Sequence, residues 1–211
     1  MWYWVLSRYQ TKQVKQKLLE PRGLTKLLLQ HTLKKEMTMG KTIAIIDETN
    51  DMYMTENDIS LDHRMNLSRL MNQRLASAID LQMQMKHAHW NVKGPSFISL
   101  HELFDKAHEE VENYVDMIAE RIVQFGGIAQ GTVRSSAATT ELTDYPAAIS
   151  DGLAHVEAVA RALSTFGAEV RIMIGEANSL EDPATADIFT EISRGIDKML
   201  WFVEAHSQAA K

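Results

Sequence analysis

Residues 96–125 read SFISLHELFDKAHEEVENYVDMIAERIVQF. Leu103, Phe104, Ala107, Val111, Tyr114, Ile118, Ile122 and Phe125 recur at three- and four-residue steps, which predicts one long amphipathic helix. On a wheel of about 100° per residue with His101 at zero, this apolar face covers roughly 200° to 320°. Asp105, Asp116 and Glu120 fall near 40°, 60° and 100° on the same wheel, so with His101 they form a stripe opposite the core. A charged stripe is ordinarily a solvated face, and Glu109 and Glu112 share this one. Against that reading, His101/Asp105 and Asp116/Glu120 each have the i, i+4 spacing that converges side chains for chelation. Imidazole and carboxylate are ligands that suit iron, manganese or zinc. Asp105 and Asp116 lie roughly 16 Å apart along a straight helix, too far for one metal. If these residues bind metal, an antiparallel second copy must supply the other half, giving two equivalent sites about a two-fold axis.

Outward from this segment the pattern stays helical. From Asp62, the residues Leu67, Met71, Leu75, Ala78 and Met85 mark one face of a first helix, which Asn91 to Pro95 ends. His89 lies on that apolar face beside Trp90. Such a histidine is usually a satisfied core residue, yet it ends its helix twelve residues before His101, where a chain reversal could bring both imidazoles to one metal. Gly126-Gly127 stops the second helix. A connection of about two dozen residues follows, with Tyr145–Ser150 as its candidate short helix. A third long helix, Asp151 to Ala177, carries Leu153, Val156, Leu163, Phe166 and Val170. A fourth takes Asp182 as N-cap and Pro183 at its first position, then Ile188, Ile192, Ile196, Met199 and Val203. The reading is an all-α four-helix bundle at 61–211, with an end-to-end crossover that makes the second and third long helices parallel.

The 211-residue chain has enough apolar side chains for one core, and it has no cysteine, which excludes thiolate sites and disulfides. That fits a reducing, cytoplasmic setting. No apolar run approaches the roughly 20 residues of a membrane span. Net charge is unevenly placed. Residues 1–41 hold Arg8, Lys12, Lys15, Lys17, Arg22, Lys26, Lys34, Lys35 and Lys41 against Glu20 and Glu36, whereas the chain as a whole is at −6. Residues 1–60 thus read as a basic, then acidic, flexible N-terminal extension on an acidic body that attracts cations and repels nucleic acid. Met37 and Met39 are candidate translation starts, and a start there would drop residues 1–36. No Glu-x-x-His occurs, which argues against a di-iron site built within one subunit.

The segments Lys86-His-Ala-His89-Trp90-Asn91-Val-Lys-Gly94, His101-Glu-Leu-Phe-Asp105 and Asp116-Met-Ile-Ala-Glu120-Arg121 resemble the DNA-binding proteins from starved cells, the Dps miniferritins. Gln124-Phe-Gly-Gly127, Tyr145-Pro146, Ile174-Gly-Glu-Ala177 and Asp197-Lys-Met-Leu-Trp201-Phe-Val-Glu204 extend the resemblance over residues 62–207. It implies a ferritin-like bundle assembled as a homo-oligomeric dodecamer, with ferroxidase sites between two-fold-related subunits. His89, His101 and Asp105 would come from one chain and Asp116 and Glu120 from its mate. Trp90 matches a tryptophan that quenches radicals, and Lys86 a lysine that weakens a second iron position by charge repulsion. The implied activity is Fe(II) oxidation, two iron ions per site, by hydrogen peroxide in preference to dioxygen, with storage of the ferric product; zinc is the alternative occupant of the resting site. Glu176, Asp182 and Asp187, with Glu181, would line a three-fold pore for iron. DNA binding is implied only through the basic arm, as the alternative role of a nucleoid-compacting shell.

Overall fold

The computed structural model describes residues 52–208. The basic arm and the candidate starts at Met37 and Met39 lie outside the described residues. Within them are five helices: α1 Leu61–Asn91, α2 Phe97–Gln124, α3 Val133–Thr139, α4 Gly152–Ser179 and α5 Pro183–Gln208. Among the described residues there is no strand and no helix long and apolar enough to cross a membrane.

The four long helices are the predicted ones, and their apolar stripes meet in one core. Leu67, Met71, Leu75, Ala78 and Met85 of α1 face Phe104, Val111, Ile118 and Ile122 of α2, and all are buried with Phe166 and Val170 of α4 and Ile192, Ile196 and Val203 of α5. Leu153 is a correction: it is 54% exposed. Its neighbour Gly152 is the residue that closes on the core, since a Cβ there would stand 2.9 Å from Leu100 Cδ1. The next residue, about 100° further round, is turned away.

Two links fix the topology. The Lys93 N–H donates to Ser150 O at 2.9 Å, tying the start of α2 to the start of α4. At the other end of these helices, Arg121 of α2 grips Asp182, just past the end of α4. α2 and α4 therefore run parallel, as an end-to-end crossover requires.

The crossover climbs α1 step by step. Asn72 takes the Gln130 N–H at 2.8 Å, Ser77 Oγ the Glu141 N–H at 3.3 Å, and Asp80 the Thr140 hydroxyl at 2.9 Å. Gln84 donates to Thr143 O at 3.2 Å, and the His87 ring meets Tyr145 edge-on at 5.0 Å. Arg74, Ser77, Asp80, Gln84 and His87 thus form a second, polar stripe on α1. Arg74 Nη1 lies 3.3 Å from both Glu141 and Glu169, and the Arg74–Glu169 pair is buried. Burial raises the Glu169 pKa, although Ser77 and Arg74 pull it down.

The short helix is a second correction. It forms at Val133–Thr139, where Thr132 Oγ1 caps the Ser135 N–H at 3.3 Å, and not at Tyr145–Ser150, which holds only a turn. The Tyr145 side chain bonds His155 and caps none of the N–H groups that follow Pro146. Residues 52–60, part of the acidic lead-in, run beside the α2 terminus. Tyr53 N–H donates to Gly126 O at 2.7 Å, and Arg64 bonds both Ile59 O and Phe125 O. Gly126 has φ +85°, and a Cβ on it would sit 2.3 Å from Tyr53 O.

Candidate metal centre

The turn between α1 and α2 brings together three of the five predicted ligands. His89 Nδ1 lies 2.8 Å from His101 O, and His101 Nδ1 lies 2.8 Å from His89 O. A carbonyl oxygen only accepts, so each Nδ1 carries the proton and each Nε2 keeps its lone pair as the ligand atom. The reciprocal bonds hold the two rings in a stack, with centroids 3.7 Å apart. Such backbone anchoring fixes the tautomer and aim of a metal-binding imidazole.

Asp105, one turn after His101, stands 3.8 Å from His89 Nδ1 and pairs with the Lys86 ammonium. The Lys86 hydrogen bond is the largest influence on Asp105. With the nearby His89 and His108, and against the desolvation that opposes it, it holds the carboxyl below its ordinary pKa. Asp105 is thus an anion throughout the neutral range. Lys86, predicted to act by charge, is in contact with a predicted ligand. Trp90 is 62% exposed at the end of α1, next to His89.

Asp116 and Glu120 are both exposed on the same polar side of α2, three to four turns further on. They do not meet the histidine cluster, and no three His, Asp or Glu side chains form a metal-holding group among the described residues. One chain therefore presents two partial ligand sets, one where α1 meets α2 and one further along α2.

The residues predicted for a pore differ in exposure. Asp187 is exposed on the first turns of α5, and Glu176 is half-buried near the end of α4. Asp182 is only 2% exposed. Its carboxylate accepts two 3.0 Å bonds from Arg121 Nη2, the Thr185 hydroxyl, and the Thr185 N–H at 3.2 Å. Burial would raise its pKa, but these bonds outweigh it and hold it below the ordinary value. Its role in this chain is the predicted N-cap, an anchor with little surface to offer a passing ion.

Two features escaped the sequence reading. The Arg121 hold on Asp182 was hidden because a single arginine in a charged helix gives no partner. The hydroxyl of the half-buried Tyr145, 2.7 Å from Nδ1 of the buried His155, makes a pair packed against His87; the polar stripe on α1 was its only trace.

The ferritin-like domain matches residues 69–211. The DNA protection during starvation protein of Agrobacterium fabrum is 42% identical over 156 residues, covering 74% of this chain and 96% of that protein. Among solved structures, DpsA14 from Streptomyces coelicolor is similar at a TM-score of 0.72 and 34% identity, over 76% of this chain and 95% of that one. The Mycobacterium smegmatis Dps tetragonal form gives 0.71 and 30%, over 75% and 96%.

Proposed function

The chain belongs to the Dps family of ferritin-like proteins, and on that premise we propose that it is a ferroxidase and iron-storage miniferritin whose sites are each shared by two subunits. The single observation that carries the reading is the split ligand set: a histidine–aspartate half where α1 meets α2, its two imidazoles anchored to backbone carbonyls, and two exposed acids further along α2. A homo-oligomer with two-fold axes would join the halves twice per dimer. Iron is the substrate. The hard carboxylates favour Fe(III) over Fe(II), which lowers the cost of oxidation, and the imidazole Nε2 atoms complete the set. Each peroxide accepts two electrons, one from each of two ferrous ions, and the ferric product hydrolyses with release of protons to oxyhydroxide. The strongly acidic surface of the body would draw cations toward the sites.

Anaerobic Fe(II) addition followed by peroxide tests this. Ferric absorbance is expected to rise rapidly at about two iron ions per peroxide, each ferrous ion supplying one of the two electrons peroxide takes. His101→Ala with Asp105→Ala abolishes the fast phase. Unchanged kinetics in that double variant would reject the site. Peroxide is the expected oxidant over dioxygen, and the same experiment run with air reads that preference.

The charge of residues 1–41 favours a second role, DNA compaction by the shell. Nine basic residues against two acidic ones, repeated around an oligomer, would bind phosphate with steep salt dependence.

A further inference from the structure

His155 of α4 is fully buried, and the Tyr145 hydroxyl lies 2.7 Å from its Nδ1. Their rings are stacked at 5.9 Å, while His87 meets the tyrosine edge-on at 5.0 Å. The pair therefore packs on the turn of α1 that leads into His89 and Trp90. Burial pushes the Tyr145 phenol far above its ordinary pKa, and burial with the nearby His87 pulls His155 below its own. At neutral pH both groups are uncharged. With Nδ1 accepting from the phenol, the ring proton sits on Nε2, which is buried without a hydrogen-bond partner. Tyr145 is half-buried and Tyr114 buried, but the Tyr114 hydroxyl donates to the Glu110 carboxylate at 2.8 Å, a weaker base than imidazole. Tyr53 is exposed. Among the described residues only Tyr145 has an imidazole waiting for its proton.

We propose that Tyr145 is a redox-active residue, a trap that gives an electron to oxygen radicals arising beside the ferrous site while its hydroxyl proton passes to His155 Nδ1. A ferrous ion that meets peroxide singly yields hydroxyl radical, and that is the oxidant. The Tyr145 O–H bond breaks, an N–H bond forms on His155, and the electron reduces hydroxyl radical to hydroxide. The imidazolium proton then converts hydroxide to water. A further Fe(II) restores the phenol by giving one electron, with one proton from solvent, and becomes Fe(III). The inference rests on the ferroxidase reading only for the source of radicals.

The test omits iron. The metal-free full-length assembly is exposed to tris-bipyridyl ruthenium(III) generated by a light flash, and tyrosyl radical is followed by transient absorbance and freeze-quench paramagnetic resonance. The radical is expected in the unsubstituted chain and in Tyr114→Phe, and absent in Tyr145→Phe. In His155→Gln it forms about tenfold more slowly or worse, as loss of a positioned base implies. Heavy water slows it in the unsubstituted chain. Because substitution at a tyrosine packed against the core can disturb packing, a nitroso spin trap and peptide mapping locate the radical in the unsubstituted chain as well. An adduct on the Tyr145 peptide supports the assignment. An adduct only elsewhere, an undiminished signal in Tyr145→Phe, or an unchanged rate in His155→Gln overturns it. A chain that forms this radical but does not oxidise iron would keep this inference and remove the proposed function.

Discussion

At the scale of single residues, charge contacts do most of the positioning. Lys86 holds a predicted ligand, Asp105, so an incoming cation must compete with an ammonium already in place. Lys86→Met is expected to tighten zinc binding by roughly 1.5- to 5-fold, the range of a partly exposed ion pair; calorimetric titration of both proteins reads it, and weaker binding would contradict it. Asp182 joins a cap to an ion pair, and Asp182→Ala should cost about 1–3 kcal/mol, because the α5 cap is lost and Arg121 is left without its partner. Its folded pKa is depressed, so its stabilising contribution is complete above the unfolded value of about 3.9 and is lost as pH falls through the lower folded value. Denaturation midpoints of the parent should therefore drop on acidification below that range more than those of Asp182→Asn.

Among the elements, the Arg74–Glu169 pair joins α1 to α4 with little water around it. Glu169→Ala should lose about 1–3 kcal/mol, because the buried guanidinium keeps only the more exposed Glu141 as partner, whereas Arg74→Met with Glu169→Leu should recover most of that loss. Equal damage from both variants, read by chemical denaturation, would count against the explanation. The long helices were legible because each carries a stripe of buried residues at helical spacing, and Asp182–Pro183 marked the start of α5 outright. The crossover was not. Val133–Thr139 has no apolar period, with Val133 itself exposed, and it is helical by virtue of a threonine cap. Tyr145 suggested a helix start, but its side chain is tied to His155 and cannot cap the following N–H groups as Asp182 does. The polar residues of α1 that hold the crossover were visible at helical spacing, but spacing alone does not say whether such a stripe faces water or chain. The candidate site shows the same limit: wheel positions placed the ligands on one side of α2, whereas the mutual locking of His89 and His101 depends on the path of the intervening turn.

At the scale of the whole molecule, the issue is how copies combine. The basic segment and the acidic body predict opposite behaviour toward DNA. The full chain should retard duplex DNA at low salt and release it as salt rises, and a chain beginning at Met39 should not bind at neutral pH; equal retardation by both would remove the arm from consideration. The most direct test of the shared site mixes two defective chains. One carries His101→Ala and Asp105→Ala; the other carries Asp116→Ala and Glu120→Ala. Each assembly alone should lack fast peroxide-dependent ferrous oxidation. After dissociation and co-assembly, random pairing restores about a quarter of the parental sites, because each mixed two-fold dimer regains one whole site out of two. Mixed assemblies that form yet stay inactive, or either variant oxidising iron at the parental rate alone, would contradict a site divided between subunits.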